Sequence, residues 1–223
     1  MRDLSKQMTD IKILNRHKDF IIIDKPVDTS FHTEAGVSGL FNQLKDQVNC
    51  PLWPVHRLDK ITSGLLITAK SKQASAKFSR LFQENAIHKT YLALSDKKPK
   101  KKQGTIKGDM VKVRSGNWKL CRTSNNPAIT QFKSFSVAPN LRLFRITPHT
   151  GKTHQIRVAM RSVGSPIIGD LRYGGTLSDR GYLHAYKLSF NWDNEPINII
   201  QPPTTGELFQ LEEVKSQLES SEL

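Results

Sequence analysis

Two cysteines in 223 residues, Cys50 and Cys121, lie far apart and form no CxxC pair. That leaves neither a zinc ribbon nor a disulfide framework and points to a reducing cytosol. No stretch is apolar for long enough to span a bilayer, and Met1-Arg2-Asp3-Leu4-Ser5-Lys6 lacks the apolar run of a signal peptide. HExxH and Cys/His ligand spacings are missing, so His56, His149, His154 and His184 do not read as a metal site. Gly151-Lys152-Thr153 invites a phosphate-loop reading, but such a loop needs glycine five positions before Gly151, where Ile146 stands.

What is abundant is positive charge. Lys and Arg number 34 against 20 Asp and Glu, a formal net charge of +14. From Glu207 to Leu223 five acids face one lysine, a net of −4, which leaves +18 on residues 1–206. A body that basic suits a polyanion, because each phosphate neutralised releases counterions. Nucleic acid fits better than membrane lipid, since no basic amphipathic helix with an aromatic face is present.

The hydrophobic pattern is that of one core, within reach of a chain this long. Short β-type runs are expected at Lys12–Leu14 and Asp19–Asp24, and a small amphipathic helix at Gly39–Val48. Gly64-Leu65-Leu66-Ile67-Thr68-Ala69 reads as a buried strand, followed by a helix whose Ala74, Phe78, Leu81 and Phe82 share a face. Further strands are expected at Ala86–Leu94, Thr105–Val113, Trp118–Arg122, Ile129–Val137, Leu141–Thr147, Tyr182–Phe190 and Ile197–Gln201. A helix is expected over Thr153–Val163, placing His154 and Arg157 on one face, and a short one in the acidic tail. Many strands with few intervening helices predict an α+β class. The chain divides into a polar leader at 1–12, a main body at 13–205 and an acidic tail at 206–223. Five lysines in the six positions Lys97–Lys102 read as a solvated loop, able to trail along an RNA backbone.

Asp59 is the residue that fits its surroundings least. It stands among His56, Arg57 and Lys60, and on a surface meant for phosphates a carboxylate needs a reason. Alone, a turn aspartate hydrogen-bonding its own backbone, or half of an ion pair, is the simpler reading. The alternative is a nucleophile kept ionised by a nearby cation. Arg157 alone reads as a surface ion pair, and Tyr91, in Lys89-Thr90-Tyr91, as strand packing or a platform for a base.

Taken in order, these segments resemble one family. His56-Arg57-Leu58-Asp59-Lys60-Ile61-Thr62-Ser63-Gly64-Leu65-Leu66 is similar to the signature of RluA-type pseudouridine synthases. Asp24-Lys25-Pro26, Lys89-Thr90-Tyr91, Gly151–Arg157, Gly164–Asp170 and Leu183-His184-Ala185 follow the same pattern, so the resemblance covers residues 13 to 203. It implies a single domain with a central mixed, mainly antiparallel sheet, flanking helices and an RNA-binding cleft. It also implies that Asp59 is the nucleophile and Arg157 its ion-pair partner, while Tyr91 stacks on the target uracil and assists proton removal. Leu183 would pack on the base and Arg57 fill the space of the flipped nucleotide; His56, Thr62, Lys152 and His154 complete the expected substrate contacts. The reaction would be uridine isomerisation in rRNA or tRNA, by a cytoplasmic monomer needing no cofactor. Attack at C1′, a glycal route and attack at C6 remain open.

Three positions depart from the family pattern. Val27-Asp28 stand where a small residue and Gly are usual, and Asp is among the residues that tolerate positive φ. Lys152 replaces Arg, keeping the charge but losing the bidentate fork, and Ala159 replaces a frequent His. An N-terminal S4-type RNA-binding domain, present in many relatives, is not expected. A binding-only RNA protein would share the charge but has no need for a carboxylate in a basic cleft. A metal-dependent nuclease would need clustered carboxylates or histidines.

Overall fold

Residues 10–33, 36 and 38–220 are described in this computed structural model; most of the expected leader, 1–12, lies outside the described residues. Apolar β-branched runs build the centre. Strand β2 (Phe20–Lys25) and strand β4 (Thr62–Ala69) pair antiparallel, and all eight residues of β4 are buried. Strand β1 (Ile13–Arg16) flanks β2, and the short β3 (Trp53–Pro54) flanks β4. The sheet continues through β11 (Leu183–Trp192), β5 (His88–Ser95), β10 (Leu141–Pro148), β9 (Ala128–Ala138) and β6 (Gln103–Gly108), with β12 (Glu195–Ile200) beside β11. Every pairing in this ten-stranded sheet is antiparallel except β4 with β11. The class is α+β with a mixed, mainly antiparallel sheet, as the strand-rich pattern predicts.

The single parallel pairing sets Leu183 beside Thr62 and Ala185 beside Gly64. Gly64 has φ +101°, and a Cβ on it would lie 2.3 Å from the Ala185 carbonyl oxygen. Only a residue without a side chain lets the two backbones approach so closely.

Four helices pack against the sheet among the described residues. Helix α1 (Leu40–Val48) buries Leu40 and Leu44. Helix α2 (Lys72–Gln83) starts where the Ser71 side chain accepts from the Ala74 amide at 3.0 Å, and buries Ala74 and Phe78. Phe78 stacks on Trp192 with ring centroids 4.4 Å apart and meets Phe20 edge-on at 5.4 Å, closing the core far from β6. Helix α4 (Glu212–Glu219) buries Val214, and with Phe209 it joins the common core, so the tail is anchored there by two buried side chains.

Two local readings need correction. The run Thr105–Val113 is not one strand. The chain leaves the main sheet at Asp109 and forms a separate ribbon, β7 (Met110–Lys112) with β8 (Trp118–Leu120). The Asp109 carboxylate accepts from the Asn125 and Asn126 amides at 3.1 and 2.8 Å, and its backbone exchanges hydrogen bonds with Thr123 and Cys121. Helix α3 (Gln155–Ser162) begins later than expected, because His154 is left-handed at φ 57°. His154 and Arg157 therefore do not share a helical face.

Candidate active site

One cleft of about 410 Å3 opens where β5 begins, β10 ends, β4 and β11 start, and α3 makes its first turn. All nine residues expected from the sequence line it: Asp59, Tyr91, Arg157, Arg57, His56, Leu183, Lys152, His154 and Thr62.

Asp59 lies in the loop between β3 and β4, with the Thr62 amide donating to its backbone carbonyl at 3.0 Å. Asp59 thus sits in a backbone turn, but its side chain is half of an ion pair rather than bonded to its own backbone. Its exposure is 18%, and its Oδ2 accepts from the Arg157 Nη1 at 3.2 Å. His154 Nε2 stands 4.0 Å from the other oxygen. The left-handed turn at His154 brings the imidazole to the same carboxylate that Arg157 reaches from inside the helix.

Arg157 is buried, not the surface residue its sequence surroundings suggest. Its Nε and Nη2 both donate at 2.7 Å to the two oxygens of Asp170, a residue only 1% exposed. That fork fixes the guanidinium plane and leaves Nη1 for Asp59. Burial opposes the charge, but hydrogen bonding and attraction from Asp170, then Asp59, raise the Arg157 pKa. In the sequence Asp170 stands out only as the end of the run Gly164–Asp170, and Tyr173 not at all. Tyr173 Oη lies 2.8 Å from His154 Nδ1, and its ring lies 5.0 Å beneath the guanidinium. No spacing rule links positions 157, 170 and 173; the turn after Gly169 brings them together.

The opposite wall is apolar. Tyr91 on β5 is buried, its backbone paired with Ala185 of β11, and burial, then the charge of Asp59, pushes its phenol pKa well up. Thr62 and Leu183 are buried floor residues. His56 also lines the wall, but its Nε2 already accepts from the Ile67 amide at 3.0 Å, and burial lowers its pKa to about 3. Burial likewise lowers the His154 pKa, against the pull of Asp59. Arg57 is exposed at the rim. Lys152 is steered there by Asn126, whose Oδ1 accepts from Nζ at 2.8 Å.

Two supports were legible only as motif letters. Gln155 accepts from Thr150 Oγ1 and the Lys152 amide, and donates to Ile129 O and Thr130 Oγ1, pinning the loop that carries His154. Lys25 is fully buried at the end of β2, where its Nζ donates to the carbonyls of Pro26, Lys60 and Thr62. It thereby clamps the backbone just after Asp59, and burial lowers its pKa to about 7. The following turn places Asp28 at φ 56°, the conformation that makes Asp an acceptable substitute for Gly. Among the described residues no three His, Cys, Asp or Glu side chains gather into a metal-holding group.

Solved structures share this architecture. Human RNA Pseudouridylate Synthase Domain Containing 4 superposes with a TM-score of 0.76 at 23% identity, covering 92% of this chain and 93% of that one. Human RNA Pseudouridylate Synthase Domain Containing 1 does so at 0.74 and 26% identity, covering 88% and 84%. The class is therefore a pseudouridylate-synthase fold built around a basic cleft.

The family model described as RNA pseudouridylate synthase matches residues 19–162, which include every cleft residue but Leu183. The chain belongs to that family and is an RNA pseudouridine synthase, an isomerase acting on RNA. A Haemophilus influenzae protein described as an uncharacterized RNA pseudouridine synthase is 54% identical over 203 residues, 90% of this chain and 91% of its own. The ribosomal large subunit pseudouridine synthase C of Rickettsia bellii is 35% identical over 181 residues; the match covers 77% of this chain but 59% of that protein.

Proposed function

We propose that the chain isomerises specific uridines in structured ribosomal RNA, with Asp59 as nucleophile acting on a base flipped out of its stack. The observation that carries this reading is the Arg157 fork, held by Asp170 and offering its remaining nitrogen to Asp59. A carboxylate so oriented is ready to attack without prior rearrangement. The ribosomal assignment draws on the name of the Rickettsia bellii relative; tRNA is the competing substrate. Two free cysteines suit a cytoplasmic protein, and a monomer suffices because all nine expected site residues line one cleft of a single chain.

Along the C1′ route, Asp59 attacks C1′ of the flipped nucleotide as the N1–C1′ bond breaks, and that bond's electron pair leaves on the uracil. The detached ring turns against Tyr91 and Leu183, C5 bonds to C1′, and the carboxylate departs. The proton on C5 is then lost while N1 gains one, so the reaction is balanced without an external reagent. Tyr91 acts in this scheme as a neutral phenol, since burial and Asp59 both disfavour the phenolate that a base would need. Flipping costs a few kcal/mol, about the scale of unstacking one base, and is least costly in loops. Arg57 offsets it by filling the space the base leaves, and Lys152 at the rim by phosphate contact.

Chemical mapping of pseudouridine in RNA from cells with and without the protein tests the reading. A site lost from large-subunit rRNA, and restored in vitro by the pure protein, is the expected result. A site lost only from tRNA would overturn the ribosomal assignment. No lost site and no activity in vitro would favour RNA binding without catalysis.

A further inference from the structure

We propose that the lysine strap at residues 97–102 is a preformed docking surface for the phosphate backbone of the RNA substrate, outside the catalytic cleft. The inference rests on RNA being the substrate, and it assigns the polyanion-binding role to one segment.

The strap joins β5 to β6, and its sequence reads as a loose solvated loop. Its backbone is instead tied down along its length. The Lys97 amide donates to Ser95 Oγ at 3.3 Å, and Ser165 Oγ donates to the Lys97 carbonyl at 2.8 Å. The Lys100 amide donates to the Val163 carbonyl at 3.2 Å, just past the end of α3. The Lys102 carbonyl accepts from both the amide and the hydroxyl of Ser134, at 2.7 and 2.9 Å. Pro99 is buried between them, while Lys97, Lys98, Lys100, Lys101 and Lys102 are all exposed.

Five like charges on a fixed backbone repel one another in the free protein, and a fold selected for stability alone would disperse them. Residues 97–108 contain no Asp or Glu, although Asp96 immediately precedes them, and exposed Arg161 near the end of α3 adds further charge. A polyanion converts that repulsion into attraction with counterion release. Anchoring also lowers the ordering cost on binding, which a loose lysine tail would have to meet. The strap adjoins the end of α3 remote from Arg157, about 9 Å along the helix axis at the usual rise per residue. A stem flanking the flipped uridine extends over such a distance; a single base does not.

The experiment compares two triple variants by the salt dependence of binding to a synthetic RNA hairpin, with thermal unfolding confirming that both fold. Lys98→Gln, Lys100→Gln and Lys101→Gln alter the strap; Lys18→Gln, Lys45→Gln and Lys72→Gln remove equal charge from exposed sites elsewhere. The strap variant should bind roughly tenfold more weakly and lose about 2 to 3 from the slope of log K against log salt. Its kcat on RNA should stay within about twofold while KM rises, because phosphate contacts act mainly on binding. The control variant should bind like wild type. Equal losses in both variants, or an unchanged slope in the strap variant, would overturn the proposal while leaving the RNA reading intact. A wild-type protein with no salt-dependent RNA binding would remove both.

Discussion

The guanidinium of Arg157 divides its donors between two carboxylates, and that division cannot be made by a lysine. Arg157→Lys keeps one charge but loses the planar fork that holds Asp170 and Asp59 together. Turnover should drop by about two orders of magnitude or more, with a stability loss of up to about 3–5 kcal/mol, as when a buried pair is broken. Single-turnover kinetics and urea unfolding measure the two effects; near-wild-type rates would show that charge alone suffices. Tyr91→Phe keeps the ring and removes a hydroxyl that burial already holds neutral. The chemical rate should therefore fall less than about tenfold, and a loss comparable to that of an essential acid or base would contradict the neutral-phenol assignment. Asp59, Tyr91 and Arg157 were legible in the sequence because each sits in a motif of its own. Asp170 and Tyr173 were not, since their roles come from a turn that folds back onto α3, and no periodicity records that.

At the level of elements, β4 was visible as an unbroken apolar run and α2 as a face of Ala74, Phe78, Leu81 and Phe82. The end of β6 was not, because Asp109 redirects the chain through backbone bonds to residues not yet reached in the sequence. His154 escaped for a related reason. Its left-handed turn is imposed by the Gln155 hydrogen-bond hub, and helix spacing reads straight through it. The parallel contact of β4 with β11 carries the floor of the cleft, and Gly64 is its tightest point. Gly64→Ala combines a positive φ with a near collision against Ala185. The variant should lose about 3 kcal/mol or more, or fail to fold, on denaturant titration. A loss below about 1 kcal/mol would mean the two strands separate at little cost.

The whole molecule carries a pH signature. Burial first, with Arg180 adding to it, lowers the His184 pKa to about 4, even though its Nε2 bonds the Gln201 carbonyl at 2.7 Å. His56 is lowered further, to about 3. Below the ordinary value of 6.5 the unfolded chain binds protons on these rings that the folded chain does not. Stability must then fall as pH drops from about 6.5 toward 4, by roughly 1.4 kcal/mol per unit for each histidine. Lys25 adds the same slope on the alkaline side: its folded pKa of about 7 lies below the ordinary 10.5, so stability gains as pH rises between them. Unfolding free energies measured across pH 4–7 (about three units) check the histidine contribution; His184→Gln should flatten the curve, and an unchanged slope would refute it. The basic, single-core α+β character of the molecule was legible from charge and strand density. The order of ten strands was not, because pairings such as Leu183 with Thr62 join residues distant in the chain.

In the proposed reaction a single carboxylate, aimed by Arg157, performs the chemistry. Asp59→Asn keeps the size of that side chain and leaves Arg157 paired with Asp170. The most direct measurement is pseudouridine formation in RNA by this variant, alongside its RNA affinity and melting temperature. Turnover should fall by at least ~1,000-fold, with affinity within about threefold and folding preserved. Normal turnover by a folded, RNA-binding Asp59→Asn protein would contradict the assignment of Asp59 as nucleophile.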